Sequence, residues 1–386
     1  MRGRQLFLAT MAFAISFALW GVVSALAPRF RELYGLTETQ TALAVAIPVL
    51  LGALFRIPMG ILTDRIGGRY VFAALLLFGI VPAAAIALVH SYAMLLIGGL
   101  LIGLAGSSFA IGIAFTTRWF PPEQQGLALG IFGAGNIGQS VAVFFAPQIA
   151  RLFGWESVFW IFGIVSALWG VAFWMFARDA GPVRKISMER IVEVLVRQRL
   201  SWLLAFFYFI TFGGFVAMSI YLPTLLKGQF GLTLEDAGMR TAGFVVLATA
   251  MRPVGGWLSD RIGGSQVLTI VYAVIAGFAL CLISTNMVLF TVGALGAAAM
   301  LGLGNGAVFK LVPHFFAADV GTVTGLVGAL GGLGGFFPPL VLGVLKQMTG
   351  SYAAGFVLLG VFALVALSLN LTIIRRGGMP RAASAS

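Results

Sequence analysis

The chain of 386 residues is 60% hydrophobic and 9% charged, with a mean hydropathy of +1.04. Soluble domains are about a quarter charged, so this composition excludes a soluble enzyme or binding module and defines an integral membrane protein. The formal charge of +12 has no soluble basic domain to carry it, which argues against nucleic-acid binding, and a single cysteine, Cys281 in an apolar run, rules out an intramolecular disulfide.

Apolar runs of about 20 residues suit helices rather than barrel strands, which alternate over about ten. Met1 to Ala27 mimics a signal peptide with its basic start and small residues, but its apolar stretch of roughly 22 residues exceeds the usual range of about 7 to 15, so it is read as the first span. Hydropathy and breaker residues predict twelve spans, at about 5–27, 41–63, 70–89, 92–117, 126–149, 157–177, 202–225, 238–258, 267–284, 287–312, 322–345 and 353–374. The longest internal connection, Arg178 to Ser201, divides them six and six. The expected organisation is an N-terminal six-helix bundle over 1–178, a linker over 179–201 and a C-terminal six-helix bundle over 202–386. Within the linker, Met188 to Leu200 has helical periodicity and is expected to lie along the membrane surface. The loops on the side of the N-terminus hold most of the basic residues, among them Arg65, Arg118, Arg184, Lys185 and Arg261, whereas the opposite loops hold Arg29, Arg31, Arg151, Lys227, Arg240 and Lys346. By the positive-inside rule both termini are expected to be cytoplasmic, with the chain in the cytoplasmic (inner) membrane.

One stretch occurs twice. LFRIPMGILTDRIGGR begins at Leu54 and MRPVGGWLSDRIGG at Met251, with Arg56 eight residues before Asp64-Arg65 and Arg252 eight before Asp260-Arg261, at a constant offset of 196. Eight helical residues rise about 12 Å. The hydrocarbon half-thickness is only about 15 Å, so neither guanidinium can easily snorkel out. A central arginine costs roughly 2.5 to 3.5 kcal/mol on the insertion scale and normally faces a cavity or a partner. Internal salt bridges are the plainer explanation, but all twelve acids fall in loops or at predicted helix ends. The expected counter-ion is therefore a substrate anion shared by one arginine from each half.

A glycine pattern also repeats. Span 5 has Gly126, Gly130, Gly133, Gly135, Asn136 and Gly138, and span 11 has Gly321, Gly325, Gly328, Gly331, Gly332, Gly334 and Gly335. Glycines at this spacing let helices approach closely, and packing alone accounts for the outer ones. The inner group, Gly133-Ala-Gly135-Asn136 and Gly331-Gly332, lies some 15 Å into its helices, where an amide and bare backbone border the arginines. Span 10 adds Lys310 and His314, the candidates for a titrating group. Lys310 lies about 9 Å from Phe316 near the cytoplasmic end, and either snorkels or points toward the cavity, where an arriving anion favours its charged form.

Twelve spans, the central loop and Gly60-x-x-x-Asp64-Arg65-x-Gly67-Gly68-Arg69 resemble the major facilitator superfamily over nearly the whole chain. The resemblance implies an all-α fold of two pseudo-symmetric six-helix bundles. It also implies that the motif Asp sits near the start of a helix in the opposite half, where the helix dipole favours an anion, latching the cytoplasmic side. Asp64, Arg65, Asp260 and Arg261 are the latch candidates, with Gly133, Gly135, Gly331 and Gly332 as gating positions. Ser265 stands where the first copy has Arg69, so a contact made by Arg69 is expected to lack an equivalent.

The glycine stretches together with both arginines and Gly302-Leu-Gly304-Asn305-Gly306 resemble the nitrate/nitrite porter family within that superfamily. From this resemblance Phe109 and Phe212 cover the faces of a flat anion, Tyr208 and Asn136 bond its edge, and Asn305 joins the substrate site. His90, His314 and Cys281 form no metal-ligand cluster, and there is no phosphate loop or nucleophile-base motif, so a transporter without cofactor or metal is expected, acting as a monomer on nitrate and nitrite among membrane lipid. The short chain and the Lys310 segment look similar to the proton-coupled branch, which favours proton symport over nitrate/nitrite exchange. A channel, a porter for a small carboxylate and a non-transporting receptor are the rival readings. A channel does not require duplicated latch motifs, and a receptor usually carries a large sensory domain.

Overall fold

The computed structural model describes residues 1–181, 187–335 and 337–375, and among them there is no strand. Among the described residues ten helices are long and apolar enough to cross a membrane. They are spans 1 (Arg2–Tyr34), 2 (Leu43–Ile66), 3 (Gly68–Leu88), 4 (Tyr92–Thr117), 5 (Pro122–Phe153), 6 (Trp155–Phe176), 7 (Arg199–Pro223), 9 (Gly264–Leu282), 10 (Met287–Phe315) and 12 (Ala353–Ile374). Span 8, Leu234–Ile262, is a 29-residue helix whose hydropathy is lowered by Asp236, Arg240, Arg252, Asp260 and Arg261. Span 11 is the shorter apolar helix Val320–Gly334, followed by Phe337–Thr349. The architecture is an all-helical multi-pass membrane protein with two six-helix repeats.

The repeat is visible in local chemistry. Thr37 and Thr233, 196 apart, both accept at their hydroxyls from the amide three residues on, from Gln40 and Asp236, and so start the helix Glu38–Leu54, which leads into span 2, and span 8. At the far ends of these spans Gly67 (φ 94°) and Gly263 (φ 91°) turn the chain into the next helix in a conformation that side chains resist. Their amides return to Thr63 and Ser259 carbonyls, both at 3.0 Å.

Predicted spans 2 and 11 are interrupted, as is span 3 at Gly79, between helices ending at Phe78 and starting at Ile80. Span 2 breaks at Phe55, between helices ending at Leu54 and starting at Arg56. Pro58 has no amide proton to return to Leu54, and its ring crowds that carbonyl. Span 11 ends at Gly334 and restarts at Phe337. Two prolines follow at 338 and 339, where missing amide protons are tolerated in a first helical turn. The linker differs from the expected surface helix as well. Ser187 caps a helix of only five residues, Met188–Val192, which passes into a π turn, Glu193–Arg197. Its register is fixed by charge: Arg190 donates to Asp319 Oδ2 from Nε (3.1 Å) and Nη2 (2.9 Å), and to Glu193 Oε2 from Nη1 (2.9 Å). These carboxylates raise the Arg190 pKa, with the Asp319 bond the largest cause and burial opposing it.

The chain packs as two compact units, Met1–Phe120 with Ile131–Arg197 and Ala318–Ala329, and Pro121–Gly130 with Gln198–Ala317 and Leu330–Ser386. Each unit thus incorporates the first turns of a span that the sequence repeat assigns to the other half. In the first unit Val22, Phe30, Ile86, Trp155 and Phe159 form part of a buried cluster. Arg69 donates from Nε and Nη2 to the Trp174 carbonyl (2.9 and 2.6 Å), while Asp179 Oδ1 accepts from the Gly68 and Arg69 amides (2.9 and 3.2 Å). The second unit corrects one expectation. Ser265, the counterpart of Arg69, donates to Asn370 Oδ1 at 3.0 Å, and Asn370 is the counterpart of Trp174 at the same offset of 196. Asn370 Nδ2 also donates to the Ser265 carbonyl (2.8 Å) and Thr269 Oγ1 (3.0 Å). A hydroxyl and an amide replace an arginine and a carbonyl, so the tie that Arg69 makes between spans 3 and 6 does have an equivalent, between spans 9 and 12.

Candidate functional site

Both arginines are buried, each 3% exposed, and each lies against an aromatic ring. Arg56 Cζ is 5.7 Å from the Phe109 centroid and Arg252 Cζ is 5.4 Å from that of Phe212. The negative ring face offsets part of the cost of removing a guanidinium from water. Arg56 is aimed by backbone: Nε donates to the Gly106 carbonyl at 3.2 Å and Nη1 to the Gly328 carbonyl at 2.6 Å. A Cβ at residue 328 would stand 3.0 Å from Arg56 Cδ, so glycine there admits the arginine stem. Arg252 is aimed by a side chain, with Nη2 donating to the Tyr208 hydroxyl at 3.2 Å. The Tyr208 and Phe212 rings stack at 4.9 Å and 2°, and Phe309 meets Tyr208 edge-on at 4.6 Å.

Backbone irregularity marks the same segments. Span 4 tightens to a 3-10 turn over Leu104–Ser107, just before Phe109. Span 5 does so over Ala134–Asn136. Span 7 widens to a π turn over Phe209–Gly213, carrying Phe212 and following Tyr208. Span 2 breaks at the residue before Arg56. Non-helical backbone at membrane depth is tolerated where it is buried in protein or lines a cavity, and π segments often mark functional sites.

Glycine contacts explain why side chains are missing here. A Cβ on Gly331 would overlap the Tyr208 ring and approach Phe212 Cδ1 at 3.3 Å. Gly135 faces Phe13 Cδ1 (2.5 Å) and the Thr10 carbonyl (2.9 Å) in the same way. Gly332 is buried, and its carbonyl accepts from the Gly335 amide at 3.0 Å. Gly133 precedes the 3-10 turn that contains the buried Asn136. Asn305 is 3% exposed, and its Oδ1 meets no donor among the described residues. The neighbouring Gly306 lies against the Arg252 carbonyl.

Several acids are engaged elsewhere. Asp64 accepts from the Gly321 and Thr322 amides (3.1 and 2.7 Å) and from Thr322 Oγ1 (3.1 Å) at the start of span 11. Asp260 accepts from the Gly126 and Leu127 amides (2.9 and 2.8 Å) near the start of span 5. Each motif aspartate therefore meets a helix N-terminus, where amides and dipole favour negative charge. Arg65 and Arg261 act differently: Arg65 reaches Met188 Sδ at 3.6 Å, and Arg261 stacks over Trp257 at 4.1 Å. Lys310 Nζ lies 2.6 Å from Asp260 Oδ1, so it joins the Asp260 cluster, and His314 is exposed with its ring edge-on to Phe315.

Sequence reasoning missed Phe13 and Phe132, which stack at 4.8 Å and approach Phe109 at 5.4 and 6.0 Å. The signal for Phe13 was the pairing of Phe13 and Phe17 with Tyr208 and Phe212 at an offset of 195, and Phe132 had no such counterpart. Because the Phe109 ring covers the Arg56 guanidinium, Phe109→Ala is expected to weaken anion binding by about tenfold, the size of a lost desolvated cation–π contact. Phe362, which packs on Phe206 at 6.1 Å, is the control. Equal losses of nitrate affinity in Phe109→Ala and Phe362→Ala, at equal expression, would remove the assignment of Phe109.

Helical spans in two repeats, each with one buried arginine on an aromatic face and one aspartate at a helix start, fit a transporter of the major facilitator type. The chain matches the family model described as Major Facilitator Superfamily over residues 8–339. It is 40% identical over 367 residues to the nitrite extrusion protein of Bacillus subtilis (strain 168), covering 95% of this chain and 93% of that one. It is 37% identical over 365 residues to the probable nitrate transporter NarT of Staphylococcus haemolyticus (strain JCSC1435), covering 94% and 95%. Among solved structures the fold is similar to the human organic anion transporter MFSD10 (TETRAN), with TM-score 0.79, 16% identity and coverage of 96% and 99%. It is also similar to the proton:xylose symporter XylE, with TM-score 0.77, 15% identity and 97% of each chain covered. The chain belongs to the nitrate/nitrite porter family of the major facilitator superfamily, a family of transporters rather than enzymes.

Proposed function

We propose that the protein carries nitrate, and nitrite, across the cytoplasmic membrane by alternating access, with both termini cytoplasmic and the monomer as the working unit. Arg56 and Arg252 bind the anion, and two six-helix halves, 1–178 and 202–386, rock around it. The observation that carries this reading is the paired setting of one buried arginine against one phenylalanine in each repeat. Nitrate and nitrite are planar monovalent anions whose oxygen edges match a guanidinium fork with two parallel hydrogen bonds. Phe109 and Phe212 suit a flat slot, while Tyr208, Asn136 and Asn305 supply edge contacts. Chloride lacks planar edges, and tetrahedral sulfate does not fit a slot. The names of the relatives, one a nitrate transporter and one a nitrite extrusion protein, support both anions as cargo.

Uptake is proposed to run with protons, as the resemblance of the Lys310 segment to the proton-coupled branch suggests. Exchange of nitrate for nitrite is the second reading, and one observation favours it: the Lys310 ammonium is engaged by Asp260. Proteoliposomes separate the two. Symport predicts nitrate accumulation into anion-free vesicles under an inward proton gradient, abolished by an uncoupler. Uptake only when nitrite is loaded inside would replace symport with exchange.

A further inference from the structure

The two latch aspartates are each held by three close donors, but the third donor differs. Asp64 takes its third bond from Thr322 Oγ1 at 3.1 Å, with Arg118 Nη2 farther off at 3.6 Å. In the second latch Leu127 stands where the first has Thr322, at an offset of 195, and offers no hydroxyl. The place is taken by Lys310, whose Nζ donates to Asp260 Oδ1 at 2.6 Å and also to the Pro122 carbonyl.

Lys310 is not the repeat counterpart of Arg118. The packing of Gly68 on Phe115 and of Gly264 on Leu311 sets the register of spans 4 and 10 at 196. That register puts His314, not Lys310, at the position of Arg118. Lys310 lies four residues earlier, about one helical turn deeper. From there its stem reaches both the carboxylate and the connection that opens span 5, while its side chain is 13% exposed.

We propose that Lys310 is the positioning residue of the second latch, a fixed cation that supplies the donor Leu127 cannot and ties Asp260 to residues 122–127. A carboxylate has about four lone-pair sites, and a donor carrying full charge gives the shortest and strongest bond to one of them. The role requires charge and reach, and it requires no loss of a proton during the cycle. This assignment rests on the alternating-access reading.

The test uses full-length protein with Cys281→Ser, spin-labelled at residues 123 and 266, both exposed and both within the second unit. It pairs the label distance with nitrate/nitrite exchange and proton-driven uptake in proteoliposomes. Lys310→Gln is expected to lengthen the distance and to slow exchange about tenfold, the size of one lost hydrogen bond to a charged group. Lys310→Arg is expected to behave as wild type in both assays. Leu127→Thr in the Lys310→Gln background is expected to restore the short distance, by giving Asp260 the hydroxyl that Thr322 gives Asp64. An unchanged distance in Lys310→Gln would overturn the proposal. So would a Lys310→Arg protein that keeps exchange and loses proton-driven uptake, since that is the behaviour of a proton carrier. If wild-type protein moves neither anion, the transport reading fails, and the label distances still decide the role of Lys310.

Discussion

Arg252→Lys is expected to lower nitrate affinity by about ten- to a hundredfold while the protein still inserts and folds. Lysine keeps the charge but is a point donor on a flexible stem, and it cannot present the planar fork. One hydrogen bond to a charged partner contributes about 1.5 to 3 kcal/mol, which corresponds to that range of affinity. Tyr208→Phe removes only the hydroxyl that accepts from Arg252 Nη2, so it isolates the aiming of the guanidinium from its chemistry. Its loss is expected to be smaller. Arg56→Lys should be at least as damaging, because Nε and Nη1 also serve two carbonyls, of Gly106 and Gly328, that a single ammonium cannot serve in the same geometry. Direct binding to detergent-solubilised protein provides the check, and near wild-type affinity in both lysine variants would dismiss the role of the forks.

The second large effect is expected from one methyl group. In Gly331→Ala the new Cβ would overlap the Tyr208 ring and press on Phe212. The stacked pair must move, and with it the hydroxyl that aims Arg252. Overpacking of this kind costs about 1 to 3 kcal/mol, or roughly 5- to 150-fold in an equilibrium. Gly243→Ala is the matched control, since a Cβ there meets nothing within 4 Å. Nitrate transport is expected to collapse in the first variant and persist in the second. Equal transport in both would mean that the close approach of spans 7 and 11 does not set the site.

Much of the fold could be read from the chain because the membrane imposes simple rules. Apolar length located the spans, and the 196-residue repeat tied Arg56 to Arg252 and Asp64 to Asp260. The contact of each aspartate with a helix start was implied by the superfamily resemblance, and the helix dipole gives its physical reason. What stayed hidden depends on packing between distant segments. The 3-10 and π turns at Ala134–Asn136 and Phe209–Gly213 leave little periodic trace in a uniformly apolar helix. The break at Phe55 had a signal in Pro58, but Pro253 sits inside an unbroken span 8, so proline alone did not decide. Ser265 looked like a lost contact because its partner, Asn370, is 105 residues away. Lys310 was readable as a lysine near the cytoplasmic end of span 10, yet its reach to Asp260 depends on how span 10 lies beside span 8.

The central claim is that this arginine-lined site selects a flat monovalent anion. The most direct test is a thermal-shift titration of purified protein with nitrate, nitrite, chloride, formate and sulfate at constant ionic strength. A ligand that binds only the folded state raises Tm with its concentration, by about 2.7 kcal/mol of stabilisation at 100 times Kd. Nitrate and nitrite are predicted to raise Tm and to compete with each other, while chloride and sulfate leave it unchanged. Chloride shifting Tm as far as nitrate, or neither nitrogen oxyanion shifting it at all, would contradict the account.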